Sequence, residues 1–246
     1  MDTIIGKTIR DIALEAPATT RVFEEFKIDY CCGGRRSIDD VCLSAGIDPE
    51  VLTQRINAVI AEQSNGVNTD HPEQKAPSDL IGYILSKHHV FTAEEIARLT
   101  PLMNKVATRH GENHPELFEL QSVFDALADS LIPHMRKEEA VLFPYIQMLE
   151  ESAKHDLSVS PPHFGSVQNP IRMMMSEHDT DGERLQRMRS ITGDYTLPEG
   201  ACPSFTALYA GLQDLERDLH RHIHLENNVL FPAAAALETK ANAVSA

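Results

Sequence analysis

His222-Ile-His-Leu-Glu226-Asn-Asn-Val-Leu-Phe-Pro232 decides the fold, because the same skeleton stands at His134-Met-Arg-Lys-Glu138-Glu-Ala-Val-Leu-Phe-Pro144. Both stretches read His, three residues, Glu, two residues, Val-Leu-Phe-Pro. Residues i and i+4 of an α-helix lie about 40° apart on one face, so each copy aims an imidazole and a carboxylate at a common point. The repeat reaches further back: His89 lies 45 residues before His134, and His178 lies 44 before His222. Two antiparallel helices with a short loop span about that length. Each half then supplies one His from its first helix and a His/Glu pair from its second. The sum is four imidazoles and two carboxylates in the core of a four-helix bundle.

The rest of the chain fits an all-α protein with a small N-terminal domain. Its 246 residues suffice for one large and one small domain, and 42% hydrophobic with 24% charged residues is an ordinary globular composition. A net charge of −15 without any basic run argues against nucleic acid as a partner. Met1 to Lys7 lack the basic start and apolar stretch of a signal peptide, and no apolar segment approaches about 18 residues, so no membrane partner and a cytoplasmic location are expected. Cys31, Cys32, Cys42 and Cys202 are too few and too unevenly spaced for a disulfide framework.

Residues 1–62 read as short helices broken by turns: Thr8 to Glu15, Ala18 to Phe26, and a helix opening at Asp48-Pro-Glu50. Residues 63–77, rich in Asn, Asp, Pro, Gln and Gly, read as a linker. Residues 78–238 carry the bundle, and 239–246 are a tail. The first bundle helix is capped by Ser78 or Asp79, and the second starts near Pro115. The third runs from about Pro170 to Ile191, and the fourth is capped by Ser204. Pro133 is expected to bend the second helix, and Pro144 to bend or end it. The segment from His155 to Gln168 is the crossover loop.

Six ionisable groups in a core need mutual satisfaction. Two metal ions, bridged by the carboxylates and capped by the imidazoles, satisfy all six; the alternative is a buried polar network without metal. Imidazole with carboxylate suits iron, manganese or zinc, and the carboxylate-bridged pair on four helices is typical of di-iron sites, with zinc the main rival. In the small domain, Asp29-Tyr-Cys-Cys-Gly-Gly34 places two thiols before Arg35, Arg36 and a helix start at Ser37, features that favour thiolate. These thiols are candidates for binding metal or nitric oxide, or for exchanging sulfur. The alternative is a Gly-Gly turn with space-filling cysteines.

Residues 78 to 238 resemble a hemerythrin-type domain, and Asp29-Tyr-Cys-Cys-Gly-Gly34 resembles the signature of the small domain before it in the RIC family (repair of iron centres; YtfE- or ScdA-like). The resemblance covers nearly the whole chain. It implies a non-haem di-iron centre of two iron ions with His89, His134, His178 and His222 as terminal ligands and Glu138 and Glu226 as bridges. It further implies repair of iron–sulfur clusters damaged by nitrosative or oxidative stress, by donation of iron to damaged iron–sulfur proteins, with nitric oxide or oxygen as small ligands. Binding, scavenging or reduction of nitric oxide at the di-iron site is the alternative function, the last making the chain an enzyme. A homodimer rests on the resemblance alone.

Oxygen-carrying hemerythrins have a further His one turn beyond the third-helix ligand, where this chain has Gly182. The missing ligand leaves open coordination, suited to binding nitric oxide or releasing metal. His88 could replace His89 only if the helix were rotated. His220 and His224 flank His222 by two positions and are expected in solvent. Glu139 and Glu177 adjoin ligand turns, either supporting the ligands or on a solvated face. The Met173-Met174-Met175 run is expected in core packing.

Overall fold

The computed structural model describes every residue except 1–3, 5, 66–70, 156, 158, 160, 161 and 245–246. Among the described residues the regular elements are helical, and an antiparallel bridge between Thr8 and Ser37 stands outside any strand. No described helix is long and apolar enough to cross a membrane.

Three of the four N-terminal helices begin where a side chain meets first-turn N–H groups that lack intrahelical partners. Helix α1, Ile9–Glu15, opens with a capping box between Thr8 and Asp11. A 3₁₀ turn at Pro17–Thr19 then leads into α2, Thr20–Glu25, so the expected helix from Ala18 starts with a tighter turn. Helix α3, Ile38–Ala45, is capped by the Ser37 hydroxyl, which accepts from the Asp40 N–H, and ends at Gly46, whose φ of 66° suits glycine. Helix α4, Pro49–Asn65, has the Asp48 carboxylate accepting from the Glu50 N–H at 2.9 Å and runs past residue 62. Ile9, Ile12, Val22, Phe23, Leu52, Ile56 and Val59 form the core of this unit.

Four long rods follow. The first joins α5, Pro77–Ile84, to α6, Val90–His110, through a π-turn at Leu85–His89. The second joins α7, Glu116–Lys137, to α8, Phe143–His155, through a π-turn at Glu138–Leu142. The third is the unbroken α9, Gln168–Ile191, and the fourth joins α10, Pro203–Leu225, to α11, Phe231–Val244, through a π-turn at Glu226–Leu230. Helix α6 packs on α7 and α10, and α7 on α9; beyond the π-turns, α8 packs on α5 and α11.

Several expected boundaries move. The second rod continues through Pro144: the π-turn just before it widens the backbone where a proline supplies no N–H. The first bundle helix starts at Pro77 with Ala76 before it, and Ser78 instead gives its N–H to Glu150 at 2.7 Å and its hydroxyl to the same carboxylate. Cys202, not Ser204, holds the N-cap position of α10, with Pro203 as its first residue. In the expected linker, residues 66–70 lie outside the described residues. Its remainder forms a 3₁₀ turn at Pro72–Gln74, and Glu73 pairs with Arg221 of α10. Part of the expected crossover loop also falls on undescribed residues, and the expected tail is largely helical through Val244.

The rods share two apolar cores. Leu99, Phe124, Leu127, Leu185, Leu212 and Leu215 belong to one, and Ile84, Ile146, Leu149, Met174, Leu225 and Phe231 to the other. Along every rod the ligand candidates fall in sequence between residues of the two, so the polar layer is sealed by hydrocarbon on both sides. Met174 joins the second core and Met173 is exposed.

Phe124 is fully buried, and Phe124→Ala is expected to destabilise the metal-free chain by about 3–5 kcal/mol. The measurement is a lower urea midpoint at unchanged denaturant dependence.

Candidate metal centre

Three of the four rods carry a π-turn at a candidate ligand: His89 ends one, and Glu138 and Glu226 each begin one. The extra residue per turn rotates the following helix, so the ligand faces inward while the apolar stripe beyond it still meets the second core. His134 and His178 project from regular helix.

The six side chains meet as two quartets. His89, Glu138, His222 and Glu226 offer ligand atoms within 4.8 Å of one another, and so do His134, Glu138, His178 and Glu226. Both carboxylates belong to both sets. Each imidazole turns Nε2 inward: His89 and His134 lie 3.5 and 3.3 Å from Glu138 oxygens, and His178 and His222 lie 3.3 and 3.0 Å from Glu226 oxygens. All six residues are buried.

The outward nitrogens have partners of their own. His89 Nδ1 meets Glu139 at 2.8 Å, His134 Nδ1 meets Glu177 at 2.7 Å, and His178 Nδ1 meets the Asn227 side-chain oxygen at 2.9 Å. Each partner can accept an Nδ1 proton, and in the neutral imidazole that leaves the Nε2 lone pair facing the centre. Glu139 and Glu177 therefore touch ligands although both are partly solvated. Asn227 was not singled out from the sequence; its signal was its place directly after Glu226, matching Glu139 after Glu138. His88 is buried but bonds Asp218 at 3.0 Å and belongs to neither quartet.

The arrangement fits metal ions. Both Glu138 oxygens, one Glu226 oxygen and His89 Nε2 are buried without a hydrogen-bond partner among the described residues, a state costing several kcal/mol per group unless something else pairs them. Burial opposes charge on His134, yet Glu138, Glu226 and Glu177 outweigh it and raise the imidazole to about 9. Burial likewise opposes charge on Glu226, but His222 and His178 hold it well below the usual carboxylate range. Burial keeps His222 below its ordinary value. Cations at the two quartets would replace these shared protons.

The cysteine loop lies against the bundle. The Asp29 carboxylate accepts from the backbone N–H groups of Cys31, Cys32 and Gly33, each at 2.9 Å. A Cβ on Gly34 would come within 2.6 Å of the Tyr30 carbonyl, so close approach rather than an unusual φ demands glycine there. Asp29, Cys31 and Cys32 form a third group with metal-ligand spacing, and they line a cavity of about 130 Å³ with Gly182, Glu216 and His220. A side chain at position 182 would extend toward the Cys32 sulfur. The expected activation of the thiols is not found at Cys31: the Cys32 thiol, burial and Asp29 hold its pKa well above the usual value. Arg36 is engaged elsewhere, with the Asp40 carbonyl and Ser44.

His220 and His224 also differ from expectation. His224 is fully buried, and His220 is only partly exposed with Nδ1 2.8 Å from Glu24. Both rings flank Tyr30, at 6.2 and 5.4 Å between centroids. Helical spacing turns them away from the ligands, and there the small domain covers them.

Residues 81–234 match the hemerythrin HHE cation binding domain, and residues 5–60 match the ScdA N-terminal domain, described as a domain of unknown function (DUF542). The chain is 34% identical over 230 residues to the iron–sulfur cluster repair protein ScdA of Staphylococcus haemolyticus, covering 94% of this chain and 96% of that protein. It is 32% identical over 230 residues to the iron–sulfur cluster repair protein YtfE of Yersinia pseudotuberculosis, covering 93% and 96%.

The pH dependence of the metal-free chain tests these electrostatics. His134, raised to about 9, contributes stability that is complete below about pH 6.5 and is lost as pH rises through 9. His222, lowered, and His224, lowered to about 3, contribute stability present above pH 6.5 and lost as pH falls. Urea midpoints between pH 5 and 9 are expected to peak near pH 6.5; a continued rise toward pH 9 would exclude a protonated His134.

Proposed function

The chain belongs to the hemerythrin HHE family, among the ScdA and YtfE iron–sulfur cluster repair proteins, and on that premise we propose that it repairs damaged clusters by giving up iron held in its bundle. The observation that carries this reading is the pair of buried quartets sharing Glu138 and Glu226. Donors of this type suit non-haem iron, and two irons bridged by the two carboxylates would use all six residues.

His89 and His222 would hold one iron and His134 and His178 the other. Bound there, iron supplies an exchangeable metal with accessible oxidation states, and it is the cargo of the repair reaction. The chain's own groups prepare the site: Glu139, Glu177 and Asn227 stand where they can take the Nδ1 protons, so that metal could replace the protons on the facing Nε2 atoms. Glu138 and Glu226 are held anionic by the imidazoles that face them, so their charge is available to metal. The two apolar cores close the layer at both ends along the rods.

We place this activity in the cytoplasm under nitrosative or oxidative stress, with damaged iron–sulfur proteins as clients. Cys31 and Cys32, beside Asp29 in the interdomain cavity, are the candidate thiols for receiving iron or meeting nitric oxide.

The test is to load the full chain anaerobically with isotopically labelled iron, count iron per chain, and incubate it with a cluster enzyme inactivated by nitric oxide. About two irons per chain, movement of label into the enzyme and return of activity are expected. Retention of all label while nitric oxide shifts the protein's spectrum would favour nitric oxide binding or reduction instead. Replacing both cysteines by Ser is expected to slow transfer without lowering the iron count; unchanged transfer would remove the thiols from delivery.

A further inference from the structure

The outer partners of the four imidazoles follow the internal repeat, with one break. Glu139, directly after Glu138, bonds His89, and Asn227, directly after Glu226, bonds His178. Glu177, directly before His178, bonds His134. By the same symmetry the residue directly before His89 should serve His222. That residue is His88, and it turns its Nδ1 to Asp218 at 3.0 Å and stacks on the His222 ring, with centroids 5.5 Å apart and planes 9° from parallel. His222 Nδ1 is consequently buried without a hydrogen-bond partner among the described residues.

Access divides the quartets in the same direction. A cavity of about 620 Å³ opens along the seam of the first and second rods, lined by His89, Ala93, Arg136, Glu139 and Phe143 among others. Of the four candidate imidazoles, His89 lines it and His134, His178 and His222 do not. The seam of α9 and α10 carries the smaller cavity that the cysteine loop covers.

We infer that the two quartets hold iron unequally: the ion between His89 and His222 is the one given up, leaving through the groove beside Ala93, while the ion between His134 and His178 stays. The inference rests on the two-iron reading above. Release is ligand exchange without electron transfer. The bonds to His89 Nε2, His222 Nε2 and the carboxylate oxygens break, and bonds to the acceptor's donor atoms form. An imidazole whose Nδ1 proton has no acceptor is a weaker and less fixed ligand; loss of such a partner lowers metal affinity by about 10–100-fold.

Release from the full chain, loaded anaerobically with two ferrous ions, to excess ferrozine is expected in two phases of one ion each, with rates about 10–100-fold apart. His88→Gln offers an amide oxygen to His222 Nδ1 and an N–H to Asp218, and should slow only the fast phase. Glu177→Ala strips His134 of its partner and should quicken only the slow phase. Ala93→Phe, an exposed position on the groove, should slow the fast phase without changing the iron count. A single phase carrying two ions, or two phases that these substitutions leave unmoved, overturns the inference and spares the two-iron reading. Fewer than two ions bound overturns that reading and the inference with it.

Discussion

Two carboxylates and four imidazoles buried in one layer are the constraint on which the bundle depends. Left to themselves they share protons unevenly: His134 is pushed up to about 9, His222 is held down by burial, and Glu226 is kept anionic by the imidazoles beside it. Such a layer is a poor source of stability, since removing charges from water costs about as much as their attraction returns. Its retention between two apolar cores makes sense as a cation site. The long helices then serve as walls, and their stability comes from Phe124, Leu127, Leu215 and the other apolar side chains above and below.

The π-turns reconcile ligand placement with packing. In an uninterrupted α-helix, the inward stripe before Glu138 or Glu226 would drift away from the core beyond it. One wider turn at each site resets the register. It also suits the proline that closes each repeat. Pro232 has no N–H for the carbonyl four residues before it, and that carbonyl, of Asn228, accepts from Arg10 of the small domain at 3.1 Å. The Asn228 side chain meanwhile reaches the Tyr30 and Cys31 carbonyls at 3.4 and 3.3 Å. Three consecutive residues of one turn thus face the layer of buried imidazoles and carboxylates, the His178 ring and the cysteine loop.

The long-range repeat made the four-helix architecture and the convergence of the six candidate ligands legible, because helical period and matching spacing are properties of the chain itself. His89 could be preferred over His88 on the same ground. Docking was less legible. His220 and His224 read as solvated because their own helix turns them from the ligands, and only the fold brings Tyr30 against them. The thiols read as activated because Arg35, Arg36 and a helix start follow in sequence, whereas in space Asp29 and mutual proximity govern Cys31. Ser78 and Ser204 resemble caps, but a carboxylate 72 residues away claims the first and Pro203 starts the helix ahead of the second. Local signals failed where a partner distant in sequence was the stronger competitor.

The repeat also carries a distinction between symmetry of ligands and symmetry of function. Ligand identity is the same in both halves, so a count of donors predicts two equal sites. The atoms behind the donors are not the same: Glu139 is matched by Asn227, but Glu177 is matched by His88. A carboxylate that accepts an imidazole proton raises the basicity of the opposite nitrogen and fixes the ring; a stacked imidazole bonded elsewhere does neither. Under the proposed iron donation, one firm and one yielding position would let the protein keep its site and still part with metal. The single unmatched position, at residue 88, would supply that difference without altering any candidate ligand.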